Sequence, residues 1–425
     1  MDRLIGAVLR LHASGRPGLA RAIARAALFL RPRHPGLLRV AARLATERGD
    51  LEAAEIYGRK IVARAPEDAS IHRALGDVAV LRGQPERALP HYDAHAKLTL
   101  GPDAVTRIYR HRWLDAAGPD RPAPYYRRLE HVFVDTAYWS IMTDAGEVYA
   151  ADTHGRTLAN GPFVRGRAWD QGRSVIASFE APRITVAQEC IFVGGDDNYS
   201  HWVMRNLLKL VALERDGLLH SLPWLLNTDL TQYQRDYLDL LGVPPERRLL
   251  VDRGQVVRCE NVIVPAMLRN PLAIRQGVEW LRARLAAHLA TPEEAADRLF
   301  VSRADAVRRR LVNEEEIYAA LERYGFRKVV PGRMTALEQI AAFSRAKIVV
   351  GAHGAGLTNM VFAPPHASFV ELCSVGVAHM EDFRRTARAT GQPIYTLVSD
   401  RTSGSDAQAD YEVDVQAVVA QVERI

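Results

Sequence analysis

With 425 residues, 48% of them hydrophobic and 25% charged, the chain has the composition of a globular protein of roughly two to four domains. Its three cysteines, Cys190, Cys259 and Cys373, lie far apart with no Cys-x-x-Cys pair, which argues against a disulfide framework and a cysteine zinc site and fits a reducing compartment. The net charge of +6 reads as a mild excess spread over a long chain, too diffuse for nucleic-acid binding but compatible with phosphates or an anionic membrane surface.

The N-terminal apolar stretch is interrupted by Arg3, Arg10 and His12, so neither a secretory leader nor a membrane span is expected there. The expected location is cytoplasmic, with peripheral attachment to the inner face of the membrane left open. Residues 1–114 carry an internal repeat. Gly15, Gly49 and Gly83 recur every 34 residues, as do Ala20, Ala54 and Ala88, and Pro32 and Pro66. That period is the tetratricopeptide length: glycine turns the chain, alanine lets two helices approach, and proline stops the second helix. Antiparallel helical hairpins, with no strand before about residue 110, are therefore expected. They would serve as a docking module for a protein partner or as a stabilising cap.

Residues 115–124, rich in Pro and Gly, read as a linker. Short strands follow at HVFVDTAYWSIMT, GEVYA and RSVIASF. From about 190 onward strand and helix alternate, which implies parallel sheets covered by helices. Two α/β units are expected, about 190–285 and 296–400, with a site at the carboxyl ends of their strands. The helix SHWVMRNLLKLVALER opens the first, and a long helix through 272–290 closes it.

Two clusters carry chemistry. The strand KIVVGA runs into His353-Gly354-Ala355-Gly356-Leu357-Thr358-Asn359. This glycine-rich turn leads into a helix expected to hold Met360 and Phe362, and its backbone N–H groups suit a diphosphate. It matches neither the Walker nor the dinucleotide fingerprint, which disfavours an NAD-dependent oxidoreductase. Arg303 closes the strand RLFVS and is placed to pair with phosphate; among Arg309, Arg310, Asn313 and Glu314, one arginine is expected to join it and the others to cap or face solvent. Glu371 closes the strand SFVEL, where a carboxylate suits ribose hydroxyls. The second cluster is Asp196-Asp197-Asn198-Tyr199-Ser200-His201-Trp202 at a helix start. His201 is the leading general base, with Asp196 and Asp197 as rivals, because imidazole changes charge near neutral pH. Asn198, Tyr199 and Trp202 read either as acceptor-side contacts or as capping and packing residues.

Taken together, G-D-D-N-Y-S-H-W, S-R…R-R-x-x-N-E-E-E, G-A-H-G-A-G-L-T-N and V-E-L make residues 125–400 resemble the family 61 glycosyltransferases. The resemblance implies a GT-B fold, two Rossmann-like lobes facing a cleft, and metal-independent inverting transfer from a UDP-sugar held mainly by the C-terminal lobe. In bacteria it implies a place in capsular or surface polysaccharide synthesis, with a glycan or lipid-linked glycan as acceptor. By position, His353, Gly354, Gly356, Thr358 and Asn359 fall in its donor-phosphate region, Arg303 at S-R, Glu371 at V-E-L, and Asn198 and His201 at N-x-x-H. The chain departs from the pattern at Arg205, where many members carry an acid. The expected architecture is α + α/β: helical-hairpin repeats (1–114), linker (115–124), an acceptor-side lobe (125–290) and a nucleotide-sugar-binding lobe (291–425). A non-catalytic scaffold for carbohydrate assembly is the alternative, and Arg205 favours it.

Overall fold

The computed structural model describes residues 1–111, 123–150, 165–290, 297–403 and 407–425. All but the last two residues of the expected linker lie outside these. The chain forms two compact units: Met1–Trp113 with Glu130–Ala187 and Gly254–Glu260, and Leu114–Leu129 with Gln188–Arg253 and Asn261–Ile425.

The first unit begins with six helices: α1 (Asp2–Ala13), α2 (Pro17–Leu30), α3 (Pro35–Glu47), α4 (Leu51–Val62), α5 (Ala69–Leu81) and α6 (Pro85–Leu100). The 34-residue period is visible in the backbone. Gly15, Gly49 and Gly83 follow α1, α3 and α5 with φ of +78°, +81° and +72°, a left-handed turn that glycine adopts without strain. Ala20, Ala54 and Ala88 are buried. Gly76 continues the logic of close approach, since a Cβ there would lie 2.7 Å from the Tyr92 ring. Asp50 and Asp68 cap α4 and α5 through their side-chain oxygens.

The helices stop earlier than expected. After Gly101 the chain forms a strand, β1 (Val105–His111), because Val105, Thr106, Ile108 and Tyr109 prefer extended backbone. It joins β2 (Tyr126–Asp135, from Glu130 on), β3 (Ser140–Thr143), β4 (Glu147–Ala150), β5 (Arg165–Trp169) and β6 (Ser174–Phe179) in the order β2-β3-β4-β1-β6-β5. All neighbouring pairs are antiparallel except β1 with β4. Ile176 on β6 packs against Val80, Ala88 and Tyr92. β1 thus replaces the end of the expected helical region, and β3–β6, expected within the acceptor-side lobe, share the first unit with the helical repeats. The short β7 (Thr185–Val186) ends this run.

The second unit contains two parallel sheets, the expected GT-B-like pair. The first is ordered β10-β9-β8-β11, from β8 (Cys190–Phe192), β9 (Trp224–Asn227), β10 (Arg248–Val251) and the last residues of β11 (Val256–Pro265). The second is ordered β13-β12-β14-β15-β16, from β12 (Asp297–Val301), β13 (Phe326–Val329), β14 (Ala346–Ala352), β15 (Ser368–Ser374) and β16 (Ile394–Ser399). Counted along the chain this is the doubly wound order 2-1-3-4-5, whose crevice opens where the winding reverses, between β12 and β14. One apolar core runs through both sheets, from Ile191, Trp202 and Tyr237 to Val349, Phe362 and Phe369.

Candidate active site

The crevice between β12 and β14 is where Arg303 and the glycine-rich turn meet. Just past β12, the Ser302 hydroxyl donates to Glu314 Oε1 at 2.5 Å, and the Arg303 backbone N–H donates to Oε2 at 2.8 Å. Glu314, expected to cap or face solvent, is buried and clamps this turn from the start of the helix Glu314–Glu322. The Arg303 side chain then lies across Gly354: a Cβ there would fall 1.6 Å from Nη1. Gly356 is similarly enclosed, with a Cβ position 2.9 Å from Val301 Cγ1. The glycines let the turn fold down onto β12 and onto the guanidinium.

Arg309 completes the pair. Its backbone is left-handed at φ +53°, uncommon for a residue with a side chain, and is held by its N–H donating to the Gln408 carbonyl at 3.0 Å. Burial, together with the charge of Arg303, lowers its pKa. The Nε atoms of Arg303 and Arg309 are both buried without a hydrogen-bond partner. Among the described residues no carboxylate lies within ion-pair distance of either. Two neighbouring guanidiniums with unused donors form a site for an anion. Arg310 by contrast is paired with Asp410, and the Asn313 amide donates to the Val413 carbonyl at 2.8 Å.

The expected helix is present as a 3-10 helix, Ala355–Val361, which holds Met360, and Phe362 caps its end. Leu357, Thr358 and Asn359 are buried, and Thr358 Oγ1 has no partner. The Asn359 side chain is occupied: its Oδ1 accepts from the Tyr199 hydroxyl at 2.6 Å, and its Nδ2 donates to Gln339 Oε1 at 2.8 Å and to the Gly356 carbonyl at 3.1 Å. Asn359 therefore ties the turn to its surroundings.

Glu371 is not a free strand-end carboxylate. It lies mid-strand in β15, 1% exposed, with Oε1 accepting from His353 Nδ1 at 2.6 Å, Oε2 accepting from Thr396 at 3.0 Å, and the Arg384 guanidinium 3.6 Å away. A ribose would find both oxygens taken; the carboxylate instead fixes the ring of His353, which also packs edge-on against Phe383.

The second cluster forms a rigid loop. Gln234 Nε2 donates to the Asp196 carbonyl, the Tyr233 hydroxyl to the Asp197 carbonyl at 2.5 Å, and Arg253 to the Gly195 carbonyl at 3.0 Å. Asn198 acts as the helix cap, accepting from the N–H groups of Ser200 and His201. The helix runs from Tyr199–His201 through a wide π-type stretch, Trp202–Leu207, into tight 3-10 turns, Leu208–Leu213. Asp196 and His201 are partners rather than rivals: His201 Nδ1 lies 2.6 Å from Asp196 Oδ2, and both side chains are about one-third exposed (35% and 33%). Burial would raise the pKa of Asp196, but the bonds from His201 and from the Asn198 N–H, with the charge of Arg205, bring it below the ordinary value. An ionised Asp196 holds the proton of His201 on Nδ1 and leaves Nε2 as the acceptor atom. Asp197 is exposed. Trp202 is a core residue with no exposed surface, so it does not stack on an acceptor. The Tyr199 hydroxyl is enclosed by Tyr237, at 3.0 Å, and Asn359, and burial raises its pKa. Tyr199 thus links the His201 turn to the glycine-rich turn.

Residues 199–370, which take in His201, Arg303 and the glycine-rich turn, match the family model Glycosyltransferase 61. Over this stretch the chain is similar to glycosyltransferase family 61. Relatives match parts of the chain as well. A β-1,2-xylosyltransferase of Oryza sativa subsp. japonica is 39% identical over 95 residues, 18% of this chain and 17% of that protein. An EGF domain-specific O-linked N-acetylglucosamine transferase of Drosophila melanogaster is 32% identical over 157 residues, 32% of this chain and 30% of that protein. The chain covers less than a third of the length of either relative. A solved O-GlcNAc transferase mutant of Thermobaculum terrenum aligns over 93% of this chain and 57% of its own, at 13% identity and a TM-score of 0.24.

Sequence reasoning reached Arg303, Arg309, His353, His201 and Asp196. It missed the partners Thr396, Arg384, Gln339 and Tyr237. Nothing in their local sequence marks them; they meet the site only through the sheet order and the packing of the two lobes.

Proposed function

We propose that the chain is an inverting glycosyltransferase moving a sugar from a UDP-sugar to a hydroxyl of a glycan acceptor. The observation that carries this is the pair Arg303 and Arg309, unpaired with any described carboxylate, beside a glycine-rich turn at the switch point of the second parallel sheet. The diphosphate binds there, the guanidiniums bonding its oxygens and the backbone of 354–356 lying alongside. In the reaction the acceptor oxygen forms its bond to the anomeric carbon as the bond from that carbon to the β-phosphate oxygen breaks. The acceptor proton passes to Nε2 of His201, and Asp196 offsets the positive charge left on the ring. Negative charge growing on the departing UDP is met by two fixed guanidiniums, preorganised electrostatics that ask for no metal ion.

Arg205 no longer favours the scaffold alternative strongly, because Asp196 supplies the carboxylate that His201 needs. Release of UDP from a panel of UDP-sugars, with and without glycan acceptors, tests the proposal. Saturable binding of UDP lost in Arg303→Ala, with turnover on at least one donor, is expected. Absence of UDP binding by a folded chain overturns it.

A further inference from the structure

The charge of this chain is not diffuse. Residues 1–34 hold seven arginines and one acid, Asp2, a net +6 that equals the charge of the whole chain; the other 391 residues balance. In the structure Arg3, Arg10, Arg16, Arg21, Arg25, Arg31 and Arg33 have no ion-pair partner among the described residues, whereas Arg39, Arg43 and Arg48, just beyond, are each paired with an acid.

The same region exposes apolar side chains. On α2, Leu19, Ala22, Ala26, Phe29 and Leu30 recur at the spacing of one helix face and all point to solvent; Phe29 is 88%, Leu30 79% and Leu19 49% exposed. The opposite face, Ala20, Ala24, Ala27 and Leu28, is buried in the repeat. An apolar stripe ending in two neighbouring large side chains, with Arg25 beside it and Arg31 and Arg33 at its tip, is the pattern of a helix that lies in the plane of a membrane surface. No helix among the described residues is long and apolar enough to cross a membrane.

We propose that α1 and α2 form a surface that docks the chain on an anionic lipid bilayer, the arginines facing headgroups and Phe29 and Leu30 entering the acyl boundary. Charge complementarity decides the occupant. A second copy would bring +6 against +6, and a soluble polyanion offers nothing to the two apolar side chains, whereas an anionic bilayer satisfies both. The proposal is independent of the transferase reading.

The test is co-sedimentation of the full chain with phosphatidylcholine vesicles, with and without phosphatidylglycerol. Two double variants accompany it, Phe29→Ser with Leu30→Ser and Arg25→Ala with Arg33→Ala, and thermal unfolding is followed alongside. The unaltered chain should bind only the anionic vesicles and release as salt rises through the range where the Debye length shrinks below about 10 Å. Each double variant should weaken binding at least tenfold without shifting the melting temperature. Failure of the unaltered chain to bind overturns the proposal, as does binding insensitive to salt. Full retention of binding by the Phe29/Leu30 variant also overturns it and points to a soluble polyanion. Concentration-dependent self-association abolished by that variant assigns the surface to a second copy instead.

Discussion

Two histidine–carboxylate pairs in the second unit share one bond and differ in everything around it. His201–Asp196 and His353–Glu371 both place Nδ1 2.6 Å from a carboxylate oxygen. The first pair is about one-third exposed on a loop at a helix start; in the second the side chains are 8% and 1% exposed, and Glu371 is further occupied by Thr396 and Arg384. A proton can be exchanged with an acceptor hydroxyl only where that hydroxyl can arrive, which the first pair permits. The buried pair suits positioning: it fixes the ring next to the turn that carries Gly354. The same local chemistry thus suits two different roles, according to burial and the further partners of the carboxylate.

The largest expected effect separates the two roles directly. His201→Ala should lower turnover by about 10²–10⁴, the usual worth of a general base, while leaving UDP binding and the melting temperature near their original values. Asp196→Asn should cost less, since the ring stays in place. Glu371→Ala should do the reverse. Removing one member of a buried ion pair typically costs about 3–5 kcal/mol, so a lowered melting temperature and weakened UDP binding are expected together. Should Glu371→Ala keep its stability and lose only turnover, the division of roles is wrong, and the buried pair is part of the proton path.

Next in size is the anion site. Arg303→Ala should weaken UDP by about 1.5–3 kcal/mol, the range for hydrogen bonds to charged groups, and Arg309→Ala by a similar or smaller amount. Titration calorimetry with UDP and with uridine distinguishes phosphate contacts from contacts to the base: the loss should vanish for uridine. Gly354→Ala should match Arg303→Ala, because the added Cβ would occupy the position of the guanidinium.

The sequence made one side of this comparison legible and hid the other. The helical repeats were readable because a left-handed glycine turn recurs every 34 residues, and the second parallel sheet because its strands are short apolar runs separated by amphipathic helices. Arg303 and the glycine-rich turn could be found because they sit at strand ends, where ligands of doubly wound sheets gather. Glu371 looked free for the opposite reason: its partners Thr396 and Arg384 arrive from elements further along the chain, and only the order β14-β15-β16 shows that they converge. The strands after residue 125 were expected with the transferase lobe, yet Ile176 fits against Tyr92 of α6, a choice made by tertiary packing that no local pattern announces. The charge carried by α1 and α2 was in plain view, but averaging it over 425 residues concealed it.

The smallest effect is expected at the link between the two clusters. Tyr199 leads into the helical turn that carries His201, and its hydroxyl donates to Asn359 in the glycine-rich turn. Tyr199→Phe keeps the ring and its edge contact with Tyr233 while removing one hydroxyl, and it leaves Asn359 Oδ1 without its donor. The hydroxyl also bonds the Tyr237 hydroxyl at 3.0 Å, so two buried hydrogen bonds are lost, each worth about 0.5–1.5 kcal/mol, and a modest fall in melting temperature is expected. The informative quantity is how the loss is distributed in the kinetics. If the clusters act as one site, slackening their connection should lower kcat, because acceptor, base and donor must be aligned together, while UDP affinity barely changes. An equal change in kcat and in UDP affinity would instead place Tyr199 with the donor turn alone. No change in either would reduce the bond to packing, and the two histidine pairs would then have to be aligned by the shared apolar core around Tyr237 and Phe362, whose rings stack with centroids 6.4 Å apart.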